Sequence, residues 1–366
     1  MTIANRPFIQ LSIIPFVIIL FFTAGSCHDE GGPCTICPPP IKDPSDYVWS
    51  LDTLAYPGSF QTTMVDIWGS APNDIYAVGH NELSRGTMWH FDGNVWTSVK
   101  IAAIEGGPVV GSYDFTAIYG FSQNDVWAVG VRFYQNQTPL PKYTDSSLII
   151  HFDGNNWTEH KVTGGGLLTE VFGVSPDDVW VGGGYGTYFH FNGNTWTKVS
   201  MSDSLHCRSI SGFSSNDVYS LLWKSDLVGQ DSIYLAHWNG NAWSIQDSFK
   251  MTGVIADKFG RQRIFALEGE LYSAGRGVFK KTNTGWENIF SPSGTFSMDV
   301  FGVSLNSLFV VGTYGGASYF NGQAWMGYST LHFPSIHYQK CWTNGVEAFI
   351  VGYDDGGSKS YVMHGK

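Results

Sequence analysis

The chain has 366 residues, of which 16% are aromatic and only 14% charged, with 44 Gly and 14 Trp. Such a composition excludes a helical protein rich in Ala, Glu and Lys, and suits many short strands joined by tight turns. A formal net charge of −11, unrelieved by any Lys/Arg-rich run, excludes nucleic acid as a partner.

At the N-terminus, Arg6 is the only charge ahead of an apolar run from Pro7 to Ala24, long enough to engage an export machinery. The run closes on Thr23-Ala24-Gly25-Ser26-Cys27, which resembles a bacterial lipobox with Ala24 where Leu is commoner. That resemblance implies a lipoprotein signal peptide over 1–26 and diacylation of Cys27, giving membrane attachment through two acyl chains. A cleaved soluble protein and an uncleaved span are the alternatives. Residues 27–46, with Pro33 and Pro38 to Pro40, hold too few apolar side chains to fold and read as a tether. The acidic Asp29 and Glu30 resemble the signal that sends some Bacteroidetes lipoproteins to the cell surface. The expected location is therefore the outer membrane, with cell-surface exposure implied by this second resemblance. Cys34 and Cys37 suit a local disulfide in the tether, whereas a metal site would need a second pair. Cys207 and Cys341 fall in separate repeats and read as buried thiols.

From residue 47 onward the chain repeats itself. One unit reads Ile67-Trp68-Gly69, Asn73-Asp74-Ile75-Tyr76-Ala77-Val78-Gly79, His90-Phe91-Asp92-Gly93-Asn94 and Trp96. The next reads Ile118-Tyr119-Gly120, Asn124-Asp125-Val126-Trp127-Ala128-Val129-Gly130, His151-Phe152-Asp153-Gly154-Asn155 and Trp157. Each unit supplies four strands. Asp-Gly or Asn-Gly, as at Asp92-Gly93 and Asn192-Gly193, predicts a type I′ hairpin between strands three and four, and Asn-Asp predicts the turn between strands one and two. Fourth strands begin at Trp96, Trp157, Trp196, Trp243, Trp286 and Trp325, but the seventh unit stops near Met363 before any Trp. The spare segment Tyr47-Val48-Trp49-Ser50-Leu51 supplies the missing strand. The 276 residues from Trp49 to Trp325 then give 46 per repeat. The predicted fold is all-β, a seven-bladed β-propeller over 47–366, with four-stranded antiparallel blades and an N-terminal strand completing the last blade.

These units resemble the Trp-rich propeller repeats of bacterial surface lipoproteins, Gly-Ser-x-x-Asp-Val-Trp-Ala-Val-Gly followed by His-x-Asp-Gly-x-x-Trp. The resemblance implies the fold and is nearly silent on function. Asp153-Gly154-Asn155-Asn156-Trp157 bears a distant similarity to the Asp-box of sialidase-like propellers, but Asp and Gly are adjacent here and the box is not matched.

His90, His151, His190 and His237 recur six residues before their Trp, once per blade, so no single ion gathers them; packing or a hydrogen bond to a neighbouring turn accounts for them. Asp74, Asp125, Asp178 and Asp217, with Glu347 in the seventh unit, read as turn caps. Catalysis needs an asymmetric cluster, and the propeller arginines Arg85, Arg132, Arg208, Arg261, Arg263 and Arg276 contain no repeat-matched trio of the sialidase kind. No catalytic residue, metal ligand or cofactor is assigned. Irregular insertions are the candidate ligand-binding face: Lys100–Asp114 with Tyr113 and Asp114, Val131–Ser147 with Arg132, Tyr134, Lys142 and Tyr143, and the segment around Trp223. The functional expectation is a non-catalytic binding or scaffold propeller whose ligand is a protein or a glycan. The alternative is a carbohydrate-active enzyme of sialidase-like, lyase or glycosyltransferase-labelled type.

Overall fold

The computed structural model describes residues 41–135, 143–225, 231–251 and 257–366. Cys27, Cys34, Cys37 and the signal segment lie outside the described residues. The strands form seven four-stranded antiparallel sheets, each following chain order except the last. In that sheet Trp49–Leu54 pairs with Ser360–Gly365, Leu51 facing Met363. Backbone bonds from Val48 N–H to Lys366 O (2.9 Å) and from Lys366 N–H to Val48 O (3.1 Å) extend the ladder and close the ring. The folded unit begins a few residues earlier than expected. Lys42 N–H donates to Gly345 O at 2.8 Å, Tyr328 Oη–H donates to Pro44 O at 2.8 Å, and the Tyr47 side chain is buried.

Alternation of burial along the first strands gives each blade an apolar face toward both neighbours, and the core is a set of clusters between blades. The expected turns form, with one change. Only the glycines, such as Gly93 (φ 95°) and Gly154 (φ 90°), take positive φ, while the preceding Asp or Asn shapes the turn through its side chain. Asp92 accepts from Asn94 and Val95 N–H at 2.9 Å each, and Asp153 from Asn155 and Asn156 N–H at 2.8 Å each. These are Asx turns rather than type I′, because an Asp side chain that supplies the acceptor removes the need for left-handed backbone at its own position.

The recurring His and Asp prove to be one device. His90, His151, His190 and His237 each donate from Nε2 to the carboxylate of Asp74, Asp125, Asp178 and Asp217 at 2.7–2.8 Å, and His364 does so to Glu347 at 2.6 Å. Each ring also lies on the aromatic residue two positions after that carboxylate, as with His151 on Trp127 and His190 on Trp180, both at 4.0 Å. Blade five replaces the pair with Lys280 and Glu270, 3.1 Å apart. The interaction ties strand three to the start of strand two inside one blade. Cys207 and Cys341 are buried free thiols, and burial pushes the Cys207 pKa up to about 12.

Candidate functional site

Two chemically distinct regions stand out, the central channel and the face on which the strand 2–3 and strand 4–1 connections open, called here the mouth face.

The charges of the channel come from one repeat position, the residue just before Ile67, Ile118, Val171, Ile210, Ile264, Val300 and Cys341 in the first strands. It carries Asp66, Ala117, Glu170, Ser209, Arg263, Asp299 and Lys340 in blades one to seven. Five of these are ionisable and converge on a cavity of about 150 Å³, also walled by Trp68, Tyr119, Phe301 and Trp342. Arg263 donates from Nη1 to Glu170 at 2.9 Å and its Nε lies 3.2 Å from Asp299, while Lys340 stands 3.6 Å from Glu170. The carboxylates also bridge blades. Asp66 accepts from Ile118 N–H of blade two at 2.9 Å, and Asp299 accepts from Cys341 N–H of blade seven at 3.0 Å. Burial first, partly offset by Lys340 and Arg263, pushes the Asp66 pKa up to about 6. The channel charges are thus spent mainly on one another and on locking neighbouring blades. Sequence reasoning passed over this layer, although a charged residue in one column of otherwise apolar strands was a visible signal.

On the mouth face the structure gathers the expected residues on blade two, where Tyr113 lies opposite Arg132 in the strand pair and Asp114 follows it, while Trp223 stands apart on blade four. Tyr113 is 1% exposed and packs on Phe115, so its ring belongs to the core between blades rather than to a binding loop. Asp114 accepts from His80 Nδ1 at 2.7 Å, and that bond holds the His80 pKa above its ordinary value against the opposing effect of burial. Arg132 is buried and engages Glu159 through two bonds of 3.0 and 2.7 Å, which commits its fork internally. The described parts of the Val131–Ser147 insertion extend two paired strands, with register continuing to Gln135 opposite Tyr143. Tyr134 and Tyr143 lie on that extension, and Lys142 lies outside the described residues. Trp223 sits in a row the sequence did not reveal. Tyr185 meets His206 at 5.1 Å, His206 stacks on Trp223 at 5.0 Å, and the Arg208 guanidinium covers Trp223 at 5.2 Å.

Tyr185 has a counterpart in Tyr314. Each occupies the first central position of a two-residue turn between strands two and three, followed by glycine. The positive φ values are 56° and 62° at Tyr185-Gly186, and 57° and 69° at Tyr314-Gly315. The closing bonds run from Thr187 N–H to Gly184 O and from Gly316 N–H to Thr313 O, both 3.1 Å. These are type I′ geometries, where Asn or Gly is the favoured residue. A large aromatic there is held against its backbone preference, by about 1–2 kcal/mol. Both rings remain exposed, 71% and 51%, and each leans edge-on against a histidine of the following blade, Tyr314 on His337 at 5.0 Å.

No family model and no curated protein sequence matches the chain. Solved structures do resemble it. A structure described as YCF48 bound to D1 peptide superposes with a TM-score of 0.61 at 15% identity, covering 87% of this chain and 96% of that one. The WD40 propeller domain of Doa1 gives 0.57 at 11% identity over 87% of this chain and 97% of that one. The extracellular domain of the hybrid two-component system BT3049 from B. thetaiotaomicron gives 0.56 at 11% identity, covering 82% of this chain and 40% of that one. At these identities the likeness establishes the propeller fold alone.

Proposed function

We propose that this propeller is a non-catalytic scaffold that presents its mouth face to a protein partner. The observation that carries the reading is the pair Tyr185 and Tyr314, two exposed aromatics kept in left-handed turns at matching positions of blades three and six. Strained backbone that persists around an exposed aromatic points to selection for recognition, and Tyr combines a large apolar surface with a polar tip suited to interfaces. The YCF48 structure holding a D1 peptide is a propeller of the same fold engaged with a polypeptide, which supports a protein ligand over a glycan. In keeping with the lipobox, Cys27 would carry a diacyl anchor and residues 28–40 would tether the ring at the outer membrane.

Partner binding is tested by affinity measurement of proteins crosslinked to the full chain in cell envelopes. Tyr185→Ala with Tyr314→Ala should abolish saturable binding, while Val95→Ala, exposed in a turn of the opposite face, should leave it unchanged. Turnover of a glycoside or polysaccharide panel, abolished by one point substitution, would overturn the scaffold reading. For the anchor, Cys27→Ser should remove detergent-phase partitioning; wild-type fractionation of that variant would mark residues 7–24 as an uncleaved span.

A further inference from the structure

Three arginines meet on the mouth face where blades four and five adjoin. Arg208 occupies the bulge between Cys207 and Ser209 on the inner strand of blade four. Its guanidinium lies over Trp223 and donates from Nη1 to Gln262 Oε1 at 2.7 Å. Arg261, next to Gln262 in the chain, lies over Phe296 with its guanidinium carbon 4.7 Å from the ring centre. Arg276 follows Gly275, whose missing Cβ would stand 2.7 Å from the Arg261 backbone nitrogen, so the two chain segments run in contact. Stacking on a ring fixes a guanidinium plane and directs its N–H groups outward from the edge. Nη1 of Arg208 is taken by Gln262 and Nη1 of Arg261 donates to the Met251 sulfur at 2.6 Å, which leaves the other N–H groups for a ligand.

Among the described residues the local charge is unbalanced. Arg261 Nε approaches Asp257 at 3.7 Å, and Arg276 acts on the same carboxylate. Asp231 attracts Arg208 and Arg261 from beyond ion-pair distance. Among the described residues no carboxylate lies within ion-pair distance of Arg208, and its Nε is buried without a hydrogen-bond partner. Burial first, and then the like charge of Arg261, hold the Arg208 pKa below its ordinary value. In a chain of net charge −11, a partly buried guanidinium set beside a second one without its own counter-ion is an energetic liability that a bound anion would relieve.

We propose that Arg208, Arg261 and Arg276 form a subsite for a carboxylate of the protein partner, supplied by an acidic segment that enters between blades four and five. The inference rests on the protein-binding reading and gives the partner a chemistry. Among the described residues, three cations stand against Asp257 and Asp231, a small positive excess that suits a singly charged carboxylate better than a doubly charged phosphate. A guanidinium fork also matches the planar carboxylate with two parallel bonds.

The test uses the full-length protein and a fluorescein-labelled hexaglutamate peptide followed by anisotropy. Saturable binding is expected, weakened about tenfold by Arg208→Gln and again by Arg261→Gln, the effect of losing a charge-assisted hydrogen bond in each case. It should also weaken as salt rises. Hexaglutamine should not bind, and free glutamate should displace the peptide at lower concentration than inorganic phosphate. Equal affinity in the variants, equal binding of hexaglutamine, or more effective displacement by phosphate overturns the proposal. Thermal melting of the ligand-free variants separates recognition from architecture: Arg208→Gln should melt no lower than the native chain, and a lower midpoint would mark the arginine as structural. Partner binding is read out at Tyr185 and Tyr314, whereas this measurement reads Arg208 and Arg261 with a synthetic peptide. If peptide binding fails while partner binding persists, the subsite falls and the scaffold reading stands.

Discussion

Gly365 lies directly opposite Trp49 in the strand pair that joins the two ends of the chain, and a Cβ on that glycine would stand 3.0 Å from the indole. The ring rests where a side chain would be, so the last blade requires glycine at its C-terminal edge. Gly365→Val should push Trp49 outward and lower stability by about 1–3 kcal/mol, the usual penalty of overpacking. Deleting residues 27–40 should leave the melting temperature unchanged. Deletion through Leu54 removes Tyr47, Trp49, the fully buried Leu54 and a row of ladder bonds, and should cost at least several kcal/mol. Equal melting of the two truncations would contradict closure as the source of stability.

His190→Phe keeps a flat ring against Trp180 but deprives Asp178 of its hydrogen bond, and should cost about 1–2 kcal/mol at neutral pH. Burial raises the Asp178 pKa, yet the bond from His190, with smaller contributions, outweighs it and holds the group below its ordinary 3.8. Its contribution is therefore present above that value and lost as pH falls through the lower folded pKa. Urea titrations of native and variant chains should converge as the medium is acidified below the ordinary carboxylate range.

Asp66 should show the opposite slope. Its folded pKa, about 6, exceeds the ordinary 3.8, so its contribution is full below the unfolded value and is lost as pH rises through 6. Asp66→Asn keeps an acceptor for Ile118 N–H and should flatten the stability profile between pH 4 and 6, by up to ~3 kcal/mol. An unchanged profile would show that Asp66 titrates normally.

Arg263→Ala should be among the most damaging single substitutions, at roughly 3–5 kcal/mol, because it leaves Glu170 and Asp299 buried without their shared cation. Adding Glu170→Gln should recover part of that loss. Chemical denaturation of both variants decides the point, and additive losses would mean the pair is uncoupled.

Tyr185→Asn relieves left-handed strain and should raise stability by about 1 kcal/mol while weakening partner binding. A calorimetric midpoint below the native one would show that the contact with His206 contributes more than the strain costs.

The repeat, the blade count and the closing strand were legible in the sequence because each rests on local chemistry. Asp-Gly and Asn-Gly turn pairs, though not their turn type, and a Trp near the start of each outer strand recur at a fixed spacing, and a seventh unit without its Trp strand demands one from elsewhere. Histidines and carboxylates were legible as columns but not as partners, since the bond from His151 to Asp125 spans two strands and appears only once they are in register. Asp66, Glu170, Arg263, Asp299 and Lys340 lie far apart in the chain and meet only because ring closure turns one repeat position inward. Arg208, Arg261 and Arg276 share no repeat position, so periodicity could not connect them; adjacency of blades four and five did. Local turn and strand preferences are written residue by residue, whereas which charges face one another depends on the curvature of the closed ring. The sequence by itself therefore determined the architecture, and the tertiary structure alone decided where its charges and exposed aromatics converge.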